Sequence, residues 1–254
     1  MSKFTVLIPA RMHSNRLAQK MIRKLGDSPL IVHTARQALK SRAHKVIVAT
    51  DHEEIRAICT AYGIDSILTA EGHNSGTDRI TEVVQLLNLA EDEIIINLQG
   101  DEPLIDPQLI DQLAEFIQRE QTEVATLAHP IQSEEEIFNP NIVKVVLDKL
   151  QHALYFSRAP IPFYRDGFNS RSEFKLPESL NLLRHIGMYA YTARFLKSYT
   201  QMPTCPLEQV ESLEQLRALY NGYKIAVLTT NSIPHGGVDT IEDLDRVRQV
   251  LINS

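Results

Sequence analysis

Several short stretches of the chain carry residue types that could do chemistry together. Just past an apolar run come Arg11, Arg16 and Lys20, a cation cluster suited to a polyphosphate, or simply a solvated basic turn. The string NLQGDEP at 97–103 places Asp101 after an isoleucine-rich run. A carboxylate at such a strand tip can hold Mg²⁺, which takes oxygen ligands and is usually shared between one or two carboxylates and substrate phosphates. Gly100 would let the backbone approach a ligand closely, although Gly100 and Pro103 also suit an ordinary turn. A second acidic strand end, GVDTIEDLD at 237–245, could bring Asp239 to face Asp101. Asp239 or Thr240 ahead of Glu242 and Asp243 equally suits a helix cap. In HNSGTDR at 73–79, Ser75 or Thr77 can cap a helix and Gly76 can bring backbone groups to a base edge. Glu211, Glu214 and Gln215, on one predicted helix over 207–219, offer acceptors to sugar hydroxyls or form that helix's wet side. Neither GxxxxGK[ST] nor GxGxxG follows a strand, so the ordinary P-loop and the dinucleotide fingerprint are both missing.

The elements that must position these residues alternate in type. Apolar runs bounded by turn signals predict strands over 4–8, 45–49, 66–68, 93–98, 124–127, 143–147, 188–191 and 224–228. Helical spacing predicts a helix between the first two strands, on Leu30, Ile31, Thr34, Ala35 and Ala38. Further helices are predicted over 53–62, 77–87, 107–120, 207–219 and 241–251. Gly63 suits the end of the first of these, and Pro107 a first turn. The alternation predicts a wound α/β fold, and open parallel sheets bind ligands beyond the carboxyl ends of their strands. Beyond about residue 122 the pattern changes to shorter strands and proline-rich loops, read as a second lobe on the same sheet. No repeat, low-complexity tract or clear linker indicates a separate domain.

Composition narrows the classes. The 254 residues, 43% hydrophobic and 23% charged, suffice for one substantial core. A formal net charge of -6 gives no general attraction to nucleic acid or anionic lipid. Cys59 and Cys205 stand far apart without zinc-like spacing, which fits a reducing compartment. The apolar stretch 4–10 is too short for a signal peptide core or a membrane span, so a cytoplasmic location and no membrane insertion are expected.

Taken in order, eight strings resemble the CMP-Kdo synthetases, the 3-deoxy-manno-octulosonate cytidylyltransferase family. They are IPAR at 8–11 with its following S-x-R-L and lysine, ATD at 49–51, SGTDR at 75–79, NLQGDEP, ALYFSRAPIP at 153–162, RHIGMYAY at 184–191, LEQLRAL at 213–219 and GVDT at 237–240. The resemblance spans essentially the whole chain. It implies a Rossmann-like, mixed and mostly parallel sheet of the nucleotide-diphospho-sugar transferase type, with a smaller sugar-binding and dimerisation lobe, in a homodimer. One domain over 1–254 is expected, with 1–121 and 220–254 mainly binding CTP and about 122–219 forming the smaller lobe. The implied activity joins CTP and 3-deoxy-D-manno-octulosonate (Kdo) into CMP-Kdo and pyrophosphate, for lipopolysaccharide synthesis. By the family pattern Pro9, Ala10, Arg11, Ser75 and Gln99 lie around the cytidine, while Arg16 and Lys20 engage the triphosphate. Asp101 and Asp239 bind Mg²⁺. Gln99, Arg158, His185, Tyr189, Glu214 and Gln215 contact the sugar acid, with Arg165 a further candidate.

The chain departs from the family pattern S-x-R-L-P-x-K-P, since Ala18 and Met21 stand where prolines are expected. Both changes free φ angles, so a looser phosphate loop and weaker CTP binding are expected. Ile241 likewise replaces a usual proline. The alternatives are a transferase for a related acid (8-amino-Kdo, sialic or pseudaminic acid) or a non-catalytic CTP-binding paralogue.

Overall fold

A computed structural model describes residues 3–14, 16–165, 167–168, 181–232 and 236–252. Strand β1 (Phe4–Ala10) runs into a loop ending in a 3-10 turn at Lys20–Ile22, then a small hairpin of β2 (Lys24–Leu25) and β3 (Ser28–Pro29). Next come α1 (Leu30–Ala38), β4 (Lys45–Thr50), α2 (Glu53–Ala61), β5 (Ser66–Leu68), α3 (Gly76–Leu86), β6 (Ile94–Asn97) and α4 (Pro107–Glu120). The second half holds β7 (Val124–Pro130), α5 (Glu134–Phe138), β8 (Lys144–Leu147), β9 (Ala153–Ser157) and β10 (Leu183–Thr192). It closes with α6 (Ala193–Tyr199), α7 (Pro206–Glu211), α8 (Gln215–Tyr220), β11 (Ala226–Thr229) and α9 (Ile241–Ile252).

One mixed sheet runs in the order β11-β7-β10-β6-β1-β4-β5, with β8 attached to β10 and β9 to β8. The pairs β1 with β4, β1 with β6, β4 with β5 and β7 with β11 are parallel, whereas β10 runs antiparallel between β6 and β7. Alternation along β1 explains the layers. Val6 and Ile8 face Ile31 and Ala35 of α1 and Leu109, Leu113 and Ile117 of α4. Leu7 points the other way, into the cluster with Ile80, Val83 and Val84 of α3 and Phe195 and Leu196 of α6. Each fully buried aliphatic side chain contributes about 1.5–3 kcal/mol, so this three-layer core is the rigid frame for the loops at its edge.

Two expectations need correction. The predicted helix over 207–219 is two helices, α7 and α8, broken at Ser212, whose φ is 53°. Its apolar positions could not share one stripe: Val210 is 85% exposed while Leu213 and Leu216 are buried. The strand predicted at 188–191 is the end of the longer β10, whose register shifts between Ile186 and Tyr189 and so interrupts the alternation a sequence reader looks for. Strand β9 and helix α6, the latter capped by Thr192, were not predicted.

Candidate active site

Strands β1 and β6 are parallel neighbours, Leu7 opposite Asn97, so both deliver their following loops to the same edge of the sheet. Arg11 follows the first, and Gln99, Gly100 and Asp101 the second. Gly100 is required by packing there: a Cβ on it would lie 2.9 Å from the Pro9 carbonyl oxygen and 3.1 Å from Met21 Sδ. The loop before α9 is pinned alongside, because the Val238 N–H donates to the Asp101 carbonyl at 2.9 Å and Val238 is buried against Leu17, Leu25 and Leu30.

That pinning brings Asp239 to Asp101. Lys20 Nζ donates to Asp101 Oδ2 at 2.6 Å and to Asp239 Oδ1 at 2.9 Å, while Arg16 reaches the other Asp239 oxygen at 2.9 Å. The capping alternative for Asp239 is excluded by geometry. Thr240 Oγ1 accepts the Asp243 N–H at 3.2 Å, and Asp243 in turn accepts the Asp239 and Thr240 N–H groups, so Asp239 keeps its carboxylate for the cleft. Burial pulls the Lys20 ammonium down, but the two carboxylates outweigh it and leave its pKa raised. Beside them Glu102 is pushed up to about 8, first by burial and then by the charges of Asp101 and Asp239.

Donor chemistry can be tested against Mg²⁺. Among the described residues no group of three or more His, Cys, Asp or Glu converges. The protein therefore offers two converging carboxylates, the donor set of an ion completed by phosphates rather than of an all-protein cage. Asp101 and Asp239 fit Mg²⁺.

The looser loop expected from Ala18 and Met21 meets compensating contacts. Leu17 and Met21 are buried, and Arg23 Nε donates to the Ala18 carbonyl at 2.9 Å. Ile241 simply opens α9 with an exposed side chain.

A cleft of about 880 Å³ extends from this cationic end along the same edge of the sheet to β10, where Tyr189 stands opposite Asn97, and is lined by all the nucleotide and sugar candidates from Pro9 to Asp239. Arg165 is not part of that lining. Ser75 caps α3, its Oγ accepting the Asp78 N–H at 3.0 Å, and also faces the cleft. At the opposite end β10 presents His185 and Tyr189, and α8 begins with Glu214 and Gln215. Burial pushes the His185 imidazole down to about 3, so the ring is neutral and unsuited to act as a base at neutral pH. Burial raises the Glu214 carboxyl above its ordinary range, partly opposed by hydrogen bonds from Thr77 and Ser75. Tyr189 Oη and Gln215 Nε2 are buried without a hydrogen-bond partner among the described residues, two polar groups left for a ligand.

Two candidates turn out differently placed than the sequence suggested. Glu211 does not share a helical turn with Glu214; it accepts from Ser157 Oγ at 2.6 Å and from the Arg158 N–H at 3.0 Å. Arg158 borders the cleft, but its guanidinium donates to the carbonyls of Glu211 at 2.7 Å and Pro140 at 3.0 Å, bracing the α7–α8 arm. Sequence reasoning missed Arg79, buried with N–H groups on Asp51 and Thr69 at 2.6 Å each. Asp51 of the ATD string and Arg79 of SGTDR, neither assigned a role by sequence reasoning, are thus two halves of one ion pair.

An open α/β sheet with cations and paired carboxylates at its strand ends is built to take a phosphate-bearing ligand there, and similarity to known proteins identifies the class as nucleotidyltransferase. Residues 5–225 match the family model described as cytidylyltransferase, and the chain belongs to the 3-deoxy-manno-octulosonate cytidylyltransferase branch of that family. It is 50% identical over 250 residues to the 3-deoxy-manno-octulosonate cytidylyltransferase of Neisseria meningitidis serogroup C, covering 98% of each chain. With the enzyme of that name from Herminiimonas arsenicoxydans it shares 53% over 246 residues, 97% of this chain and 98% of the other. A solved CMP:2-keto-3-deoxy-manno-octonic acid synthetase complexed with CTP superposes with a TM-score of 0.89 at 38% identity, covering 99% of both chains. A cytidylyltransferase from Leptospira borgpetersenii shares the fold, with a TM-score of 0.63 at 18% identity over 100% of this chain and 88% of that one.

Proposed function

We propose that the protein transfers the cytidylyl group of CTP to Kdo, releasing pyrophosphate. The observation that carries this reading is the meeting of Asp101 and Asp239 over Lys20 at one end of a cleft whose other end offers unpartnered Tyr189 and Gln215. Relatives named for this activity match over nearly their full length.

In this reading the anomeric hydroxyl attacks the α-phosphorus in line and pyrophosphate leaves, a reaction that needs positioning and charge neutralisation more than covalent help. Pro9, Ala10, Arg11, Ser75 and Gln99 would seat the cytidine. Arg16 and Lys20 would turn from the carboxylates to the phosphates and offset charge on the leaving group. Mg²⁺ held by Asp101 and Asp239 would supply Lewis-acid polarisation of the phosphate and ease loss of the hydroxyl proton. Gln99, His185, Tyr189, Glu214 and Gln215 would orient the sugar, with Arg158 holding the arm that carries the last two. We place the enzyme in the cytosol as a homodimer supplying lipopolysaccharide synthesis. No helix among the described residues is long and apolar enough to cross a membrane.

Pyrophosphate release from CTP, measured with Kdo, 8-amino-Kdo, sialic acid and pseudaminic acid in parallel, tests the proposal. Turnover should require a sugar acid and be fastest with Kdo. Preference for another acid would reassign the substrate, and no turnover with any of them would leave a CTP-binding paralogue.

A further inference from the structure

We propose that Thr126 is a positioning residue that holds the His185 imidazole in the tautomer protonated at Nε2, so that Nδ1 meets the cleft as an acceptor for a sugar hydroxyl. The purpose of that acceptor rests on the sugar-acid reading above; the tautomer itself does not.

Thr126 is fully buried on β7, opposite Tyr189 where β10 shifts register. Its Oγ1 lies 2.9 Å from His185 Nε2, 2.8 Å from the Met188 carbonyl oxygen and 3.3 Å from that of Ile186. Carbonyl oxygens only accept, so the single hydroxyl proton goes to the nearer of them and an oxygen lone pair is left facing Nε2. A bare nitrogen there would set two lone pairs against each other. Nε2 must therefore carry the proton and donate it to Thr126, and in a neutral imidazole the other nitrogen is then an acceptor. Burial keeps the ring neutral. Its plane is fixed by the edge of Phe156, with centroids 5.1 Å apart, and by Tyr189 at 5.2 Å.

Among the described residues Nδ1 has no hydrogen-bond partner, and His185 lines the cleft next to Gly187 and Tyr189. An acceptor at this place takes a hydroxyl and repels a carboxylate. It therefore turns a sugar acid so that a hydroxyl, not the acid group, faces β10. The strand irregularity, usually a packing detail, becomes the device that aims two main-chain carbonyls at one hydroxyl and so fixes where a proton sits two bonds further on.

Long-range ¹H–¹⁵N correlation spectra of histidine-labelled ligand-free protein, with the His185 signals assigned by their loss in His185→Gln, read the tautomer directly. The wild-type protein should show Nε2 protonated and Nδ1 bare, Thr126→Ser should keep that state, and Thr126→Val should shift population to Nδ1–H. In steady-state assays Thr126→Val should raise KM for Kdo by about tenfold, the worth of one hydrogen bond. KM for CTP and kcat should stay near wild type, and Thr126→Ser should restore KM. Protonated Nδ1 in the wild-type spectrum overturns the proposal even should Thr126→Val fail to fold, as does an unchanged tautomer and KM in a folded valine variant. Wild-type protein that shows the expected tautomer yet turns over no Kdo would sink the substrate reading alone.

Discussion

Lys20 is the most informative single perturbation. Its side chain is 8% exposed and joins Asp101, 24% exposed, to Asp239, 36% exposed. Lys20→Met keeps most of the buried stem and removes only the charge. Each charge-assisted hydrogen bond contributes about 1.5–3 kcal/mol. Asp239 is open enough for water to replace much of its share, and Arg16 stays on its other oxygen, so the net loss should be about 2–3 kcal/mol. For a chain of this size that lowers Tm by roughly 4–12 °C. The two orphaned carboxylates then become a better cation site than in the wild-type protein. Mg²⁺ at ten times its Kd stabilises by about 1.4 kcal/mol, so the variant should regain several degrees on adding Mg²⁺ where the wild-type protein gains less. Thermal unfolding followed by circular dichroism, with Mg²⁺ and with EDTA, measures both effects. A variant as stable as the parent, or one no more responsive to Mg²⁺, would refute the idea that the lysine holds the acidic pair together.

Other outcomes follow from the same geometry. Asp101→Asn should retain a cooperative unfolding transition while pyrophosphate release drops about 10²–10³-fold, the scale of losing a main electrostatic element; normal turnover at saturating Mg²⁺ would remove the metal assignment. Gly100→Ala should lose about 1–3 kcal/mol in a urea titration, because the added carbon meets a backbone oxygen rather than a movable side chain. The folded His185 pKa of about 3 lies below its ordinary 6.5, so as pH falls the unfolded chain takes up the proton first. The associated stability is complete above pH 6.5 and lost on acidification towards 3. His185→Gln should consequently flatten the fall of stability with pH by up to about 1.4 kcal/mol per pH unit in that window, and parallel curves would show that the ring is not buried neutral.

Much of this arrangement was legible from the chain itself, where the signal was local. Helix α4 could be bounded at both ends because Pro107 suits a first turn and its apolar positions keep one period throughout. Strands β1 and β6 were apparent from their apolar runs, and an open parallel sheet binds ligands beyond the carboxyl ends of such strands, where Arg11 and Asp101 follow. That Asp239 joins them was an inference from fold type, and the local string could not separate it from a cap; only the Thr240–Asp243 exchange of hydrogen bonds does so. The break at Ser212 was illegible because no glycine or proline marks it and a serine adopts the left-handed conformation. The guanidinium of Arg158 could not be assigned to carbonyls either, since its acceptors at Pro140 and Glu211 belong to other segments.

The arm formed by α7 and α8 is fastened to the first turn of α3. Thr77 Oγ1 donates to Glu214 at 2.9 Å, and Arg217, paired with Glu208, lies 3.8 Å from Asp78, whose own N–H is capped by Ser75. On the proposed assignments Ser75 answers to the base and Glu214 to the sugar, so one clasp reports to both halves of the reaction. Any change that one substrate makes in its partner's affinity through this clasp must, by linkage, be returned by the same factor.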